Sequence, residues 1–278
     1  MDAPRFTDAL TPAEADEVLA LFDAATRPDG QEPLNEEARL LLRRPGATHW
    51  LVRDGADLAG YAQWQPDAGT GQIVVHPDHR RRGLGTALLA VLPERRVWAF
   101  GADAAASGFA DASGLKPVRE LLVLGRDLPA DLGGRLPADV EVTGFTDADA
   151  DAFIALNARA FAGHPEQGRF SASDLAARQA EAWWDADGLL LARRGERLVG
   201  FHWVKVHPDG RGEVYVIGVD PDAAGGGLGR GLLQAGLDRL AALGCPSVFL
   251  YVDGDNTRAV ELYRRSGFDE VLRDVLFA

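Results

Sequence analysis

Four glycines, Gly225, Gly226, Gly227 and Gly229, stand at the start of an apolar-periodic run made of Leu228, Leu232, Leu233, Leu237, Leu240 and Leu243. A glycine loop that feeds a helix start turns backbone N–H groups and the positive end of the helix dipole outward, so the ligand it suits is a phosphate or pyrophosphate. Ahead of the loop, residues 213–219 alternate in the manner of a strand. That alternation puts Val214, Val216 and Gly218 on one side and Glu213, Tyr215, Ile217 and Val219 on the other. Asp220-Pro221 ends it, because proline cannot donate to a ladder. A second group, Asn256, Ala259, Tyr263, Gly267 and Phe268, has the spacing N-x2-A-x3-Y-x3-GF and follows a short apolar strand over 248–252. With 32 glycines in the chain one glycine loop is weak evidence, and it is the second group that gives the first its weight.

The elements that must hold these residues occur twice. LVRDGADLAG (51–60) matches LARRGERLVG (191–200), Val75-His76-Pro77 matches Val219-Asp220-Pro221, and Gly83-Leu84-Gly85 matches Gly227-Leu228-Gly229. The offset is 195 − 55 = 140 for the first pair and 219 − 75 = 144 for the others, so the second half has the longer hairpin. One mixed α/β fold is therefore used twice. Periodicity predicts helices over 11–27, 35–43 and 84–92 in the first half, with strands over 48–53, 57–64, 72–75, 97–100 and 118–126. In the second half it predicts helices over 147–161, 173–183, 228–243 and 256–266, with strands over 140–145, 188–193, 197–206, 213–219, 248–252 and 269–276. PADLGGRLP (129–137) has the proline and glycine content of a linker, dividing the chain into domains over 1–130 and 138–278.

Composition narrows the partners. The chain has 278 residues, enough for two domains with a core each, and a formal net charge of −13. Neither nucleic acid nor an anionic membrane is attracted to such a surface over long range, so neither is expected as a partner. No apolar run approaches a bilayer span, and MDAPRFTDAL lacks the basic and apolar regions of a signal peptide, so a cytoplasmic protein is expected. Cys245 is the one cysteine, which rules out an intrachain disulfide and a cysteine-based metal site; between Gly244 and Pro246 it reads as a buried structural thiol. No metal is expected, and the chain is expected to act as a monomer.

Strand, glycine loop, helix, strand and the N-x2-A-x3-Y-x3-GF helix together resemble the GNAT acetyltransferase superfamily. The resemblance implies two tandem GNAT domains, with acetyl-CoA held by its pyrophosphate on the loop. The halves differ chemically. Arg80-Arg81-Arg82-Gly83-Leu84-Gly85 fits the superfamily loop pattern Q/R-x-x-G-x-G, so the first half should bind CoA. By constant offset, however, its counterpart of Glu213 is Gly69, and four residues before the glycine of Ser113-Gly114-Leu115 its counterpart of Tyr263 is Ala110, so it is expected to be inert. The second loop, Ala224-Gly225-Gly226-Gly227-Leu228-Gly229, lacks the leading Gln or Arg, yet this half keeps Glu213 and Tyr263. An amine attacks a thioester only when unprotonated, and the departing thiolate needs a proton, so Glu213 is the expected base and Tyr263 the expected acid. The N–H of Val219 is the expected oxyanion donor, with Gly218 permitting irregular strand geometry there.

Four further blocks, AFAGHPEQG (160–168), EAWWDADGL (181–189), GFHWVKVHP (200–208) and GEVYVIGVDP (212–221), resemble the mycothiol synthase family, together with DGQEPLNEE (29–37) and VVHPDHRRRGLGT (74–86). That likeness spans essentially the whole chain and implies acetylation of the cysteinyl amine of cysteinyl-glucosaminyl-inositol. It implies that Glu36, Glu166, Lys205, Glu213 and Tyr251 contact this acceptor. It also implies that Ile217, Gly218, Val219, Ala224, Gly225, Gly226, Gly227, Leu228, Gly229, Arg230, Asn256, Thr257, Arg258, Ala259, Val260 and Glu261 hold the working acetyl-CoA. A second, unproductive CoA would lie on Ile73, Val74, Val75, Arg81, Arg82, Gly83, Leu84, Gly85 and Thr86.

The residues themselves agree in part. His164-Pro165-Glu166 lies in a polar, glycine-flanked stretch suited to acceptor contacts, and Lys205 is one of two lysines beside 27 arginines, a choice that fits a compact contact arginine would not make. His202 and Trp203 on the same strand read as packing. A GNAT enzyme for another primary amine, such as an aminoglycoside or a peptide N-terminus, and a non-catalytic acetyl-CoA-binding module are the two alternatives; retention of Glu213 and Tyr263 speaks against the second.

Overall fold

The computed structural model describes residues 3–29, 35–102, 104–163 and 167–278. The chain forms two compact units: unit one is Met1–Leu122 with Asp253–Asp255 and Leu272–Ala278, and unit two is Val123–Val252 with Asn256–Val271.

The first stretch of chain builds β1 (Arg5–Thr7), α1 (Pro12–Asp29), α2 (Glu36–Leu40), β2 (Thr48–Asp54), β3 (Asp57–Gln65), β4 (Thr70–Val75), α3 (Leu84–Val91), β5 (Val97–Ala99), α4 (Ala104–Ala112) and β6 (Pro117–Asp127). The second builds β7 (Glu141–Thr143), α5 (Ala150–Ala160), α6 (Ala172–Gln179), β8 (Leu189–Arg194), β9 (Arg197–Val206), β10 (Gly212–Val219), α7 (Leu228–Ala242), β11 (Ser247–Asp253), α8 (Thr257–Arg265) and β12 (Asp269–Phe277).

In unit one the strands run in the order β1-β2-β3-β4-β5 and then the end of β12, which pairs antiparallel with β5 through Val275, Leu276 and Phe277. Period-two alternation sends Trp50 and Val52 to a core under α3 and Leu51 to a core under α1, so the sheet is covered on both faces. In unit two the order is β11-β10-β9-β8-β7. One face packs Phe153, Leu156 and Leu175 of α5 and α6 against Phe201 and Trp203 of β9, and the other packs Leu228 and Leu232 of α7 against Val199. Among the described residues, no helix is long and apolar enough to cross a membrane.

The repeat is visible bond by bond. A bulge falls between Val52 and Arg53 in the β2–β3 hairpin and between Ala192 and Arg193 in β8–β9, at the same 140-residue offset. His76 N–H donates to Ala59 O and Asp220 N–H to Val199 O, both at 2.9 Å, and Leu115 N–H to Ala110 O repeats as Phe268 N–H to Tyr263 O. The last pair supports the equivalence of Ala110 and Tyr263. For Glu213 the pairing differs from the constant offset. Trp64 pairs with Gly71 and Gln65 with Thr70, whereas Val204 pairs with Val214 and Lys205 with Glu213, because a bulge at Tyr215 adds one residue to β10. The counterpart of Glu213 is thus Thr70, and that of Lys205 is Gln65. Gly69 sits in the preceding turn, its N–H donating to Gln65 O.

The bulge also corrects the predicted faces of β10. Tyr215 and Val216 both pack toward the α5 and α6 core, while Ile217 and Val219 pack toward α7, so Glu213 and Val219 do not share a side as unbroken alternation would require. Residues 129–137 are no free tether: Leu132 N–H donates to Gln234 Oε1, Gln234 Nε2 donates to Ala130 O, and Arg230 donates to Leu132 O. The segment lies along α7 inside unit two, with Ala130 and Leu132 buried. Its Pro-Gly composition marks irregular backbone, and composition alone does not separate a strap from a tether.

Candidate active site

Parallel pairing of β10 with β11 covers Gly212, Val214 and their neighbour Glu213, and then stops. In unit one the β4–β5 pair stops at Gly71, the residue equivalent to Val214. Beyond this point β10 keeps β9 as a partner on one side alone. Asp220 N–H points to β9, so alternation turns the N–H groups of Val219 and Ile217 the other way, toward the gap. There a cleft of about 180 Å³ is lined by Ile217, Gly218 and Val219 of β10, Gly229 and Leu233 of α7, and Leu262 and Tyr263 of α8. Gly218 is required by packing: a Cβ there would lie 2.7 Å from the Phe201 ring. The irregular backbone expected at Gly218 is instead the bulge at Tyr215.

At one end of the cleft the loop before α7 carries three successive glycines with φ of 109°, 58° and 84°, Gly225, Gly226 and Gly227, so their N–H groups turn in a way side chains resist. Gly227 is the N-cap and offers α7 no side-chain acceptor; Leu228 N–H donates to Gly225 O at 3.1 Å, and the next N–H groups, of Gly229 and Arg230, are placed to meet an anion. The same cap occurs at Gly83 before α3, where Arg81 takes φ 61° despite its side chain. Leu84, Gly85 and Thr86 open that helix, and Ile73, Val74 and Val75 form the strand end before it. Arg80 Nε donates to Val75 O at 3.2 Å, and Arg82 lies 3.7 Å from Asp54. Arg230, by contrast, directs its guanidinium at the strap through Leu132 O.

Asn256 caps α8 by accepting the Ala259 N–H at 3.2 Å, which gives the N-x2-A spacing a structural cause. Thr257, Arg258, Ala259, Val260 and Glu261 form the first turns, with Val260 buried and Glu261 paired to Arg265 at 2.9 Å. Two turns in from the cap, Tyr263 lines the cleft with its ring edge on Phe268. Burial pushes its hydroxyl up to about 12, so it stays protonated at neutral pH and is suited to give a proton.

Glu213 lies on β10 before the bulge, four residues from Ile217, and is 6% exposed. Its Oε2 is 2.7 Å from His207 Nε2. Lys205, directly across from it on β9, carries its Nζ 4.5 Å from the Trp183 ring centroid and 5.4 Å from that of Tyr215, whose hydroxyl accepts from Arg178 Nε at 2.8 Å. Tyr251, on β11 just past the end of the parallel pairing, is exposed with its ring edge on Phe249. Glu36 opens α2 in unit one, while Lys205, Glu213 and Tyr251 belong to unit two. His164, Pro165 and Glu166 lie outside the described residues. Cys245 is buried, and burial pushes its thiol up, as for a structural cysteine.

Sequence reading missed His207 and the bulge at Tyr215. The signal for the first was present: a turn over 207–211 between strands brings residue 207 back beside residue 213. The second was recoverable from the offset, which grows from 140 to 144 across this hairpin.

A family model described as Acetyltransferase (GNAT) family matches residues 156–268, and one described as Acetyltransferase (GNAT) domain matches residues 45–112. The chain is 48% identical to a mycothiol acetyltransferase of Thermomonospora curvata, over 98% of this chain and 96% of that one. It is 49% identical to a mycothiol acetyltransferase of Clavibacter sepedonicus, over 99% and 96%. Among solved structures it resembles a tandem GNAT protein from the clavulanic acid biosynthesis pathway, with TM-score 0.72 and 21% identity over 99% of this chain and 97% of that one. It also resembles a GCN5-related N-acetyltransferase from Sphaerobacter thermophilus, with TM-score 0.67 and 24% identity over 100% and 95%. At those identities the structural likeness carries the fold.

Proposed function

The chain belongs to the mycothiol acetyltransferases, a family of GNAT enzymes, and from that premise we propose that unit two acetylates the cysteinyl amine of cysteinyl-glucosaminyl-inositol. The observation that carries the assignment to unit two is a pair of absences in unit one: Thr70 and Ala110 stand where unit two has Glu213 and Tyr263. Acetyl-CoA supplies the activated acetyl group as a thioester. The Gly225–Gly227 turn and the uncapped start of α7 hold its pyrophosphate. Ile217 and Val219 offer N–H groups along the cleft. Of the two, the N–H of Ile217 lies nearer Glu213, since Val219 is two residues further on at about 3.3 Å each. Ile217 therefore takes the oxyanion role that sequence alone assigned to Val219, which is left to the pantetheine arm.

Glu213 takes the proton of the acceptor amine, directly or through water, and Tyr263, held neutral by its burial, returns one to the departing sulfur. Lys205, over Trp183 and Tyr215, contacts the hydroxyl-rich part of the acceptor together with Tyr251. Unit one holds a second, unproductive CoA on Ile73, Val74, Val75 and the Arg81–Thr86 loop. The enzyme works in the cytoplasm as a monomer, on a small-molecule acceptor. The test is acetylation of cysteinyl-glucosaminyl-inositol beside a panel of aminoglycosides and peptide N-termini. A kcat/KM at least about 10²-fold higher for the first supports the reading, and equal or better rates on another amine overturn it.

A further inference from the structure

We infer that His207 is a positioning residue for Glu213: it fixes the carboxylate through Oε2, leaves Oε1 for the acceptor amine, and by its own charge state switches that carboxylate between a competent and an incompetent base. This rests on the reading of Glu213 as the proton acceptor.

The hairpin between β9 and β10 sets the geometry. His207 N–H donates to Arg211 O and Gly210 N–H donates to His207 O, both at 2.9 Å, so the His207 backbone is tied at both ends of a tight turn. Its ring lies 5.0 Å from the Phe249 ring of β11, and the Arg211 guanidinium covers Phe249 at 5.0 Å. The imidazole therefore has little room to swing, and its Nε2 lies 2.7 Å from Glu213 Oε2. A contact this short between a ring nitrogen and a carboxylate oxygen contains a proton, since two lone pairs would repel. The neutral ring thus donates Nε2–H to Oε2. Glu213 is buried, while the His207 side chain is 24% exposed, so the imidazole is the member of the pair that reaches solvent.

The charge count gives the switch. When the amine N–H bond breaks and an O–H bond forms on Oε1, a pair with neutral His207 passes from −1 to 0. With His207 already protonated the same step takes the pair from 0 to +1 beside further positive charge. Lys205 faces Glu213 from β9, and Arg211, itself bonded to Asp209, faces His207 from the turn. A cation hydrogen-bonded to a carboxylate favours its ionised form and weakens it as a base. Turnover therefore requires neutral His207.

The experiment measures kcat and kcat/KM against pH for wild type, His207→Asn, His207→Phe and Glu213→Gln, with acetyl-CoA affinity by calorimetry as a check of folding. His207→Asn keeps a donor but cannot become a cation, so it is expected to lose several-fold in kcat at pH 8 and to shift the acid limb to lower pH. His207→Phe removes the donor and is expected to lose a further ~10-fold. His207→Gln repeats the first measurement should the Asn variant fail to bind acetyl-CoA. An acid limb that stays in place in His207→Asn, as ionisation of the acceptor amine itself would produce, overturns the inference. So do equal losses in the Asn and Phe variants, which mark a purely structural role. Near-normal turnover in Glu213→Gln would instead remove the base assignment, whereas loss there with an unmoved His207→Asn profile removes the His207 role alone.

Discussion

The proposed base, Glu213, and the proposed acid, Tyr263, differ in environment. One is a carboxylate bonded to an imidazole at the start of β10, the other a phenol that burial keeps neutral in the cleft. Glu213→Gln is expected to lower kcat by roughly 10²-fold or more with acetyl-CoA affinity unchanged, and steady-state kinetics with calorimetry check it. Tyr263→Phe is expected to lose less, because a thiolate leaves partly unaided, and the loss should persist across the neutral range since a hydroxyl near 12 does not titrate there. Lys205→Met, which keeps the length of the stem, is expected to raise acceptor KM by about 10-fold or more and to leave acetyl-CoA KM alone; an unchanged acceptor KM would return Lys205 to packing on Trp183 and Tyr215. Tyr263 was legible because the spacing from Asn256 to Phe268 is local, a helix cap followed by one face of the same helix. His207 was not, because its partner lies across a turn and only the register of the two strands brings them together. The neutral counterpart of Glu213 was misplaced by one residue for the same reason, since a bulge is invisible to a constant offset.

At the scale of elements, α7 is seated on β9 around His202. Its Nδ1 donates to Leu232 O at 2.8 Å, its Nε2 has no hydrogen-bond partner among the described residues, and a Cβ on Gly236 would overlap its ring. Burial pushes the His202 imidazole down to about 4, against the opposing pull of the Leu232 carbonyl. Burial likewise pushes His49, 2.6 Å from the Tyr61 hydroxyl in unit one, down to about 4. A folded-state value depressed below the unfolded one means that the stability from each neutral ring is fully present above about 6.5 and is lost as pH falls toward 4. Each costs on the order of 1.4 kcal/mol per pH unit across that window. Urea unfolding at pH 7.5 and pH 5 checks this, with the lower midpoint expected at pH 5. Gly236→Ala is expected to destabilise by about 2 kcal/mol or more, read by the same titration, because the overlap is with a ring that cannot move into solvent. Most elements were legible, since the long helices carry clear periodicity and the central strands alternate. α4 escaped because Ala104–Ala112 is dominated by small residues and a glycine, which leave little apolar contrast to read.

For the molecule as a whole, duplication followed by divergence predicts two CoA sites and one centre of turnover. Replacing Arg80, Arg81 and Arg82 with Ala should weaken or abolish the unit-one site, since these arginines, of which Arg81 and Arg82 are exposed, add a modest, salt-screened attraction to the loop amides. It should leave kcat at saturating acetyl-CoA within a few-fold. Calorimetric titration of wild type and the triple variant beside the acetylation assay decides it: one site in wild type, or turnover lost with the arginines, refutes the division of labour. The doubling was legible because motifs recur at a nearly fixed distance. The membership of each unit was not, because strand exchange leaves no mark on local pattern. Unit one needs Leu272–Ala278, whose Val275, Leu276 and Phe277 pair with β5 and whose Asp274 accepts the Gly101 N–H at 2.7 Å. Those residues leave the ribosome after all of unit two. The half encoded first is therefore the half finished last: a nascent chain can complete the carboxy-terminal unit before the amino-terminal one, and premature termination a few codons short would strike the amino-terminal unit.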